Sequence, residues 1–174
     1  MAQQFAAHKA KPDSIYFINL SGATLGDADY LKFVRSALTR TGLPPQAICF
    51  EITETAAIGN LSNALSFIKN VRALGCKVAL DDFGSGLSSF SYLKALAADY
   101  LKIDGAFVRD MLIDPMDAAI VVAINNIGHV AGMKTIAEFV EHTDIKAELA
   151  NIGVDFAQGY AIHRPESIDG GRVI

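Results

Sequence analysis

Short runs of β-branched and aromatic residues alternate along the chain with segments whose apolar positions recur every three or four residues. The runs are Ile15–Ile18, Ile48–Ile52, Val78–Leu80, Tyr100–Ile103, Lys134–Ala137 and a brief one near Phe156. They predict six strands. Helical spacing joins Leu31, Val34 and Leu38, then Leu61, Leu65 and Ile68 with Leu74 beyond, then Ile120, Ala123 and Ile127. Gly42, Gly75, Gly132 and Gly153 each follow a helical segment, where a left-handed helix end favours glycine. Strand, helix, glycine, strand, repeated without linker or low-complexity tract, predicts an α/β fold with a parallel sheet and helical crossovers. One domain spanning residues 1–174 is expected. Six strands in this rhythm suit either an open doubly wound sheet or most of a (β/α)8 barrel. A complete barrel takes about 250 residues, more than the 174 present.

Composition narrows the function classes. Hydrophobic residues make up 51% and charged residues 20%, which excludes disorder, because disorder needs low hydrophobicity and high net charge. A net charge of −4 argues against a general electrostatic grip on DNA or RNA, which depends on a basic face. Any phosphate bound here needs local groups or cations. Cys49 and Cys76 lie among apolar neighbours and are too few for a disulfide framework, so reduced core thiols in a cytoplasmic protein are expected. Met1 to Asp13 carries no signal-peptide apolar stretch. Ala118 to Ala131, interrupted by Asn125, Asn126 and His129, falls short of the roughly 18 apolar residues of a membrane span, so no membrane insertion by this segment is expected.

Polar residues collect after each apolar run: Asn19 after Ile18, Glu51 and Glu54 around Ile52, Asp81 and Asp82 after Leu80, Lys102 and Asp104 around Ile103, Glu138 after Ala137, Gln158 and Gly159 after Phe156. In a parallel α/β fold these carboxyl ends converge on one face. A single carboxylate there is ordinarily a helix N-cap. Several together repel one another unless protonated or bridged by a cation, and an all-oxygen set from Asn, Asp and Glu suits Mg2+ or Mn2+ better than zinc. Adjacent aspartates on a strand alternate faces, but at a strand end the second can swing in with the loop, so that Asp81 bridges two ions and Asp82 holds one. Lys102, between Leu101 and Ile103, is costly in a buried strand unless it works.

Six motifs carry a family resemblance: Ile18-Asn19-Leu20-Ser21, Phe50-Glu51-Ile52-Thr53-Glu54, Asp81-Asp82-Phe83-Gly84-Ser85-Gly86, Lys102-Ile103-Asp104, Ala137-Glu138-Phe139-Val140-Glu141 and Asp155-Phe156-Ala157-Gln158-Gly159-Tyr160. In this order, from about Ile15 to Pro165, the chain resembles the EAL domain, the family of bacterial cyclic-di-GMP phosphodiesterases. The resemblance implies a TIM-like (β/α)8 barrel whose first strand runs antiparallel to the rest. It implies hydrolysis of one phosphodiester bond of cyclic di-GMP to linear pGpG with Mg2+ or Mn2+, two ions in all. By motif position Asn19, Glu51 and Asp81 would hold the first metal, and Asp81 and Asp82 the second. Lys102 would orient the attacking water, and Glu138 would join the metal–water network as the base. Gln158 and Gly159 would lie near the substrate, and Asp104 and Glu141 would support the site from behind. Glu54 and the loop Phe83, Gly84, Ser85 and Gly86, continuing to Ser91, would form the mobile segment that couples dimer packing to metal binding.

The front of the chain departs from the family. EAL domains open with two further strand–helix units, the second of which supplies the motif that names them, with a metal-binding glutamate and a nearby phosphate-contacting arginine. Neither motif occurs here, so about six of eight strands are expected, with edges that pair with another copy or a separate N-terminal piece and little activity in isolation. His163 and Arg164 read as surface groups. The expected partners are cyclic di-GMP, a second copy in a homodimer, and upstream sensor or GGDEF-type domains. The alternative functions are a non-catalytic cyclic-di-GMP receptor and a regulatory dimerisation module.

Overall fold

The computed structural model describes residues 14–85 and 92–165. Six strands form one sheet in the order of the chain, every neighbouring pair parallel. The strands are β1 (Tyr16–Leu20), β2 (Ile48–Thr53), β3 (Lys77–Phe83), β4 (Tyr100–Ile103), β5 (Lys134–Ala137) and β6 (Phe156–Ala157). The helices between them are α1 (Ala28–Thr41), α2 (Glu54–Gly59), α3 (Leu61–Ala73), α4 (Leu93–Leu96), α5 (Gly105–Asp110), α6 (Pro115–Val130) and α7 (Thr143–Ile152). Among the described residues β1 and β6 are the outer strands, each paired on one side. No described helix is long and apolar enough to cross a membrane.

Local chemistry sets most boundaries. Asp27 opens α1 by accepting from the Asp29 and Tyr30 N–H groups, and Asp114 followed by Pro115 opens α6. These caps satisfy donors that a helix start leaves free. Gly42 and Gly153 close α1 and α7 in the left-handed conformation. The apolar spacing described above omits α7, whose buried stripe is only Ile145 and Leu149.

Both faces of the central strands β2 to β4 are largely buried. Phe50, Ile52, Val78, Leu80, Leu101 and Ile103 point outward into the large core shared with the helices. The inner face holds a second, small cluster: Cys49, Ala79, Tyr100 and Ile136, with Ile15 against it. This double burial makes β2 and β4 almost continuously buried, as parallel strands are, with Glu51 and Lys102 the charged interruptions in otherwise largely apolar runs. The sheet is rolled. Flat, β1 and β4 would lie about 14 Å apart, yet the Phe17 and Tyr100 rings meet edge-on at 5.8 Å and Tyr100 meets Phe156 at 6.1 Å. Cys49 and Cys76 are buried free thiols, with burial raising both pKa values, that of Cys76 to about 11.

At the opposite end of the sheet from the carboxylates, Asp155 binds β5. It accepts from His129 Nε2 at 2.8 Å, Lys134 Nζ at 3.0 Å and the Thr135 N–H at 2.9 Å. Thr135 Oγ1 donates to buried Asn125 at 2.6 Å. Burial alone would raise the Asp155 pKa, but the Thr135 N–H, Lys134 and His129 outweigh it and hold the carboxyl well below the usual range. A depressed native pKa adds stability above the unfolded value of about 3.9, and that stability is lost as pH falls through it toward the native value. Asp155→Asn is therefore expected to lower Tm by roughly 3–6 °C at pH 7. In thermal melts across pH, the two proteins should converge from about pH 5 downward; a constant gap would refute the linkage.

Candidate functional site

The inner face changes character at the carboxyl ends of the strands. Parallel register puts Asn19 beside Glu51 and Glu51 beside Ala79, so Asp81, two residues on, shares their face. Lys102 follows Tyr100 on the same face of β4, while Leu101 and Ile103 turn to the helices. Lys102 Nζ then lies 2.6 Å from Glu51 Oε1, 2.7 Å from Asp81 Oδ1 and 2.7 Å from Glu138 Oε1. All four residues are buried. Burial alone would favour a neutral amine, but the hydrogen bonds to Asp81, Glu138 and Glu51 outweigh it and raise the Lys102 pKa. For Glu51 and Glu138 burial dominates and raises the pKa, with Lys102 opposing it.

Asp82 completes the cluster through irregular backbone. β3 continues through Phe83 rather than ending at Leu80, and its register against β4 slips between Leu80 and Phe83. Asp82 has φ +53°, a left-handed conformation that aspartate tolerates at a cost of about 1 kcal/mol. Such a bulge re-aims one side chain without ending the strand. Oxygens of Asp81, Asp82 and Glu138 consequently lie within 4.8 Å of one another, and burial, Asp81 and Asp104 raise the Asp82 pKa. With all four carboxylates ionised, one ammonium leaves the cluster at −3. Asp81 Oδ1 is enclosed, with Lys102 Nζ at 2.7 Å as its partner. An acidic all-oxygen cluster with net negative charge fits a hard divalent cation.

The remaining residues named from the sequence fall into separate places. Asn19 is exposed on β1. Glu54 is almost wholly buried at the start of α2, where one carboxylate oxygen accepts from the Gly84 N–H at 3.1 Å and the other from the Tyr92 hydroxyl. It thus holds both flanks of the loop after β3. Phe83, the first residue of the expected mobile segment, ends β3, pairs with Ile103 and is fully buried. Ser85 Oγ donates to the Asp82 carbonyl at 2.9 Å, while Gly86 and Ser91 lie outside the described residues. Asp104 caps α5 by accepting from the Ala106 N–H at 2.8 Å. Glu141, Gln158 and Gly159 join Glu138 around an adjoining pocket of about 210 Å³. The Gln158 carbonyl accepts from the Val140 N–H, and Gly159 sits so close to the Val140 backbone that a Cβ would meet its nitrogen at 2.4 Å. His163 and Arg164 are exposed; His163 lines the same pocket, and the Arg164 guanidinium lies 5.2 Å from the Tyr160 ring centroid. The motifs gave no role to Tyr92 or Phe139, although an aromatic residue directly after a strand-end glutamate is a signal that could have drawn notice to Phe139.

The chain that folds into this rolled parallel sheet has counterparts among known proteins. The family described as "EAL domain" matches residues 1–165. The chain belongs to the EAL domain family. This EAL domain is 44% identical over 156 residues to the cyclic di-GMP phosphodiesterase PdeB of Shewanella oneidensis, covering 90% of the chain and 18% of PdeB. It is 37% identical over 148 residues to MucR of Pseudomonas aeruginosa, a bifunctional diguanylate cyclase/cyclic di-GMP phosphodiesterase, covering 85% of the chain and 22% of MucR. The solved PaMucR phosphodiesterase–c-di-GMP complex superposes with a TM-score of 0.89 at 33% identity, covering 97% of this chain and 68% of that one. The chain thus spans about a fifth of the length of PdeB and MucR, and its six-stranded sheet corresponds to part of a TIM-type barrel.

Among the described residues Lys102 is the only positive charge in contact with the carboxylates of Glu51, Asp81 and Glu138. Lys102→Met should destabilise the metal-free domain by on the order of 3–5 kcal/mol, because it strands buried carboxylates without a partner. Mn2+ should recover part of that loss by replacing the missing charge. Thermal melts in EDTA and in Mn2+ check both, and a variant as stable as wild type in EDTA would contradict the assignment.

Proposed function

We propose that this EAL domain, residues 1–174 as one unit, hydrolyses cyclic di-GMP to linear pGpG, with the Lys102 cluster as its reaction centre. The observation that carries the reading is the contact of Lys102 with Glu51, Asp81 and Glu138 beside the Asp82 carboxylate. Similarity to PdeB and MucR supports the choice of substrate. Asn19, Glu51, Asp81 and Asp82 would hold two ions of Mg2+ or Mn2+, with Asp81 shared. Bound there, the ions would offset the substrate phosphate's charge and activate a water for attack.

The chain's own groups then have distinct tasks. Lys102, a fixed ammonium, donates to the attacking water and orients it. Glu138, 2.7 Å from that ammonium, accepts the water's proton as general base. As the water oxygen bonds to phosphorus, the phosphorus–oxygen bond to one ribose breaks; the departing ribose oxygen takes a proton from solvent water, and Glu138 returns the proton it accepted to solvent. Glu54 positions the loop after β3 through Gly84 and Tyr92, and Asp104 holds the start of α5. Glu141, Gln158 and Gly159 face the substrate's remaining parts. A homodimer, or continuation into sensor or GGDEF-type domains, fits the bifunctional character of MucR, and a cytoplasmic setting fits two free thiols.

The test is chromatography of pGpG formed from cyclic di-GMP with Mg2+ or Mn2+. Turnover, expected to be weak for these residues in isolation, should appear with metal and vanish in EDTA, and Glu138→Gln should lower kcat by about 10²-fold or more. Binding without pGpG would identify a receptor instead, and neither binding nor turnover would defeat the reading.

A further inference from the structure

Helix α3 with β3 and β4 matches helix α6 with β5 and β6 position by position at one constant spacing, the second copy being one residue shorter before its last strand. The four buried positions of α3 fall on the four of α6. Left-handed backbone recurs at Asp82 and Phe139, with φ of +53° and +51°, and again at Ala97 and Gly153. In each copy a lysine lies over the ring of the neighbouring strand, Lys77 over Tyr100 at 5.2 Å and Lys134 over Phe156 at 5.6 Å. One structural unit is used twice.

Both copies carry an aspartate directly before the last strand. Asp99 Oδ2 accepts from the Val78 N–H at 3.0 Å, and the Asp99 N–H donates to the Val78 carbonyl at 2.8 Å. Asp155 Oδ2 accepts from the Thr135 N–H at 2.9 Å, and the Asp155 N–H donates to Thr135 Oγ1 at 3.3 Å. A side-chain nitrogen from the matching helix position reaches each carboxylate, Arg72 at 3.6 Å and His129 at 2.8 Å. The Asp99 carbonyl also accepts from the Lys134 N–H at 3.0 Å, so this residue ties β3, β4 and β5 together.

The two aspartates stand where the sheet has least to hold it in line. β2 makes five register pairs with each neighbour, whereas β4 makes three with β3, and β6 makes two with β5. The residue before β2 is Ala47, whose side chain can accept nothing. A slip of one residue sends inward side chains to the outer face. On β4 it would take Lys102 away from Asp81, and after β6 it would take Gln158 away from Glu138. We propose that Asp99 and Asp155 are register pins and thereby positioning residues for the reaction centre. Asp99 keeps Lys102 level with Asp81, and Asp155 keeps Gln158 level with Glu138. The pinning stands on strand geometry, and its effect on turnover rests on the phosphodiesterase reading.

Asparagine keeps a carbonyl oxygen where the carboxylate accepts and loses only the charge, whereas alanine removes the acceptor. Asp99→Ala should therefore speed amide hydrogen exchange at Val78 and weaken Mn2+ binding about ten-fold, and Asp155→Ala should speed exchange at Thr135 and lower kcat about ten-fold. Asp99→Asn and Asp155→Asn should keep wild-type Mn2+ affinity and kcat below their melting temperatures, although Asp155→Asn melts earlier. Losses that follow the acceptor rather than Tm separate positioning from plain stability. Where an alanine variant does not fold, Asp99→Glu or Asp155→Glu, which keeps the charge and moves the oxygens by one methylene, should show the same losses. Alanine or glutamate variants with wild-type exchange, Mn2+ affinity and kcat, or asparagine variants as impaired as alanine, would overturn the pins. Exchange and Mn2+ affinity need no turnover, so a wild-type protein that binds Mn2+ but leaves cyclic di-GMP intact would defeat the phosphodiesterase reading alone.

Discussion

The carboxyl end of this sheet depends on one buried ammonium. Glu51 lies on β2, Asp81 on β3 and Glu138 directly after β5, and no pair of them could be buried together and ionised without a counter-charge. Lys102, within 2.7 Å of each, lets them coexist. The ammonium cannot neutralise everything around it, because Asp82 adds a fourth carboxylate. The residual negative charge fits the cluster to a further cation.

Two irregularities adapt a regular sheet to that task. The bulge at Asp82 brings an adjacent aspartate to the cluster, although strict strand geometry would send it to the opposite face. The left-handed turn at Phe139 presents a ring at the mouth of the neighbouring pocket instead of burying it. Each costs local backbone energy, and each is held by packing nearby: Phe83 in the core after Asp82, and Gly105 with Arg109 beneath Phe139. Glu54 plays a comparable part for the loop after β3, gripping Gly84 before it and Tyr92 beyond it.

Much of this was legible from residue order. Apolar runs separated by helical spacing and glycines implied a parallel α/β sheet, because strands buried on both faces cannot alternate polar with apolar residues. Polar residues clustered after those runs implied a site at the carboxyl ends, because parallel strands all deliver their ends to one side. A lysine inside an apolar strand implied a working charge. These inferences depend on local pattern and on a chirality and direction common to all such sheets.

Tertiary structure decided what no local pattern encodes. That Lys102 reaches three carboxylates at once depends on the curvature that also brings Phe17 of β1 against Tyr100 of β4. The bulge that turns Asp82 inward depends on the register between β3 and β4. Phe83 adjoins the loop in sequence, yet its pairing with Ile103 makes it an anchor. Asp155 joins β5 to α6 through Thr135, Lys134 and His129, residues 20 or more positions away. Periodicity determines which residues share a face, whereas distance across a rolled sheet depends on every strand between.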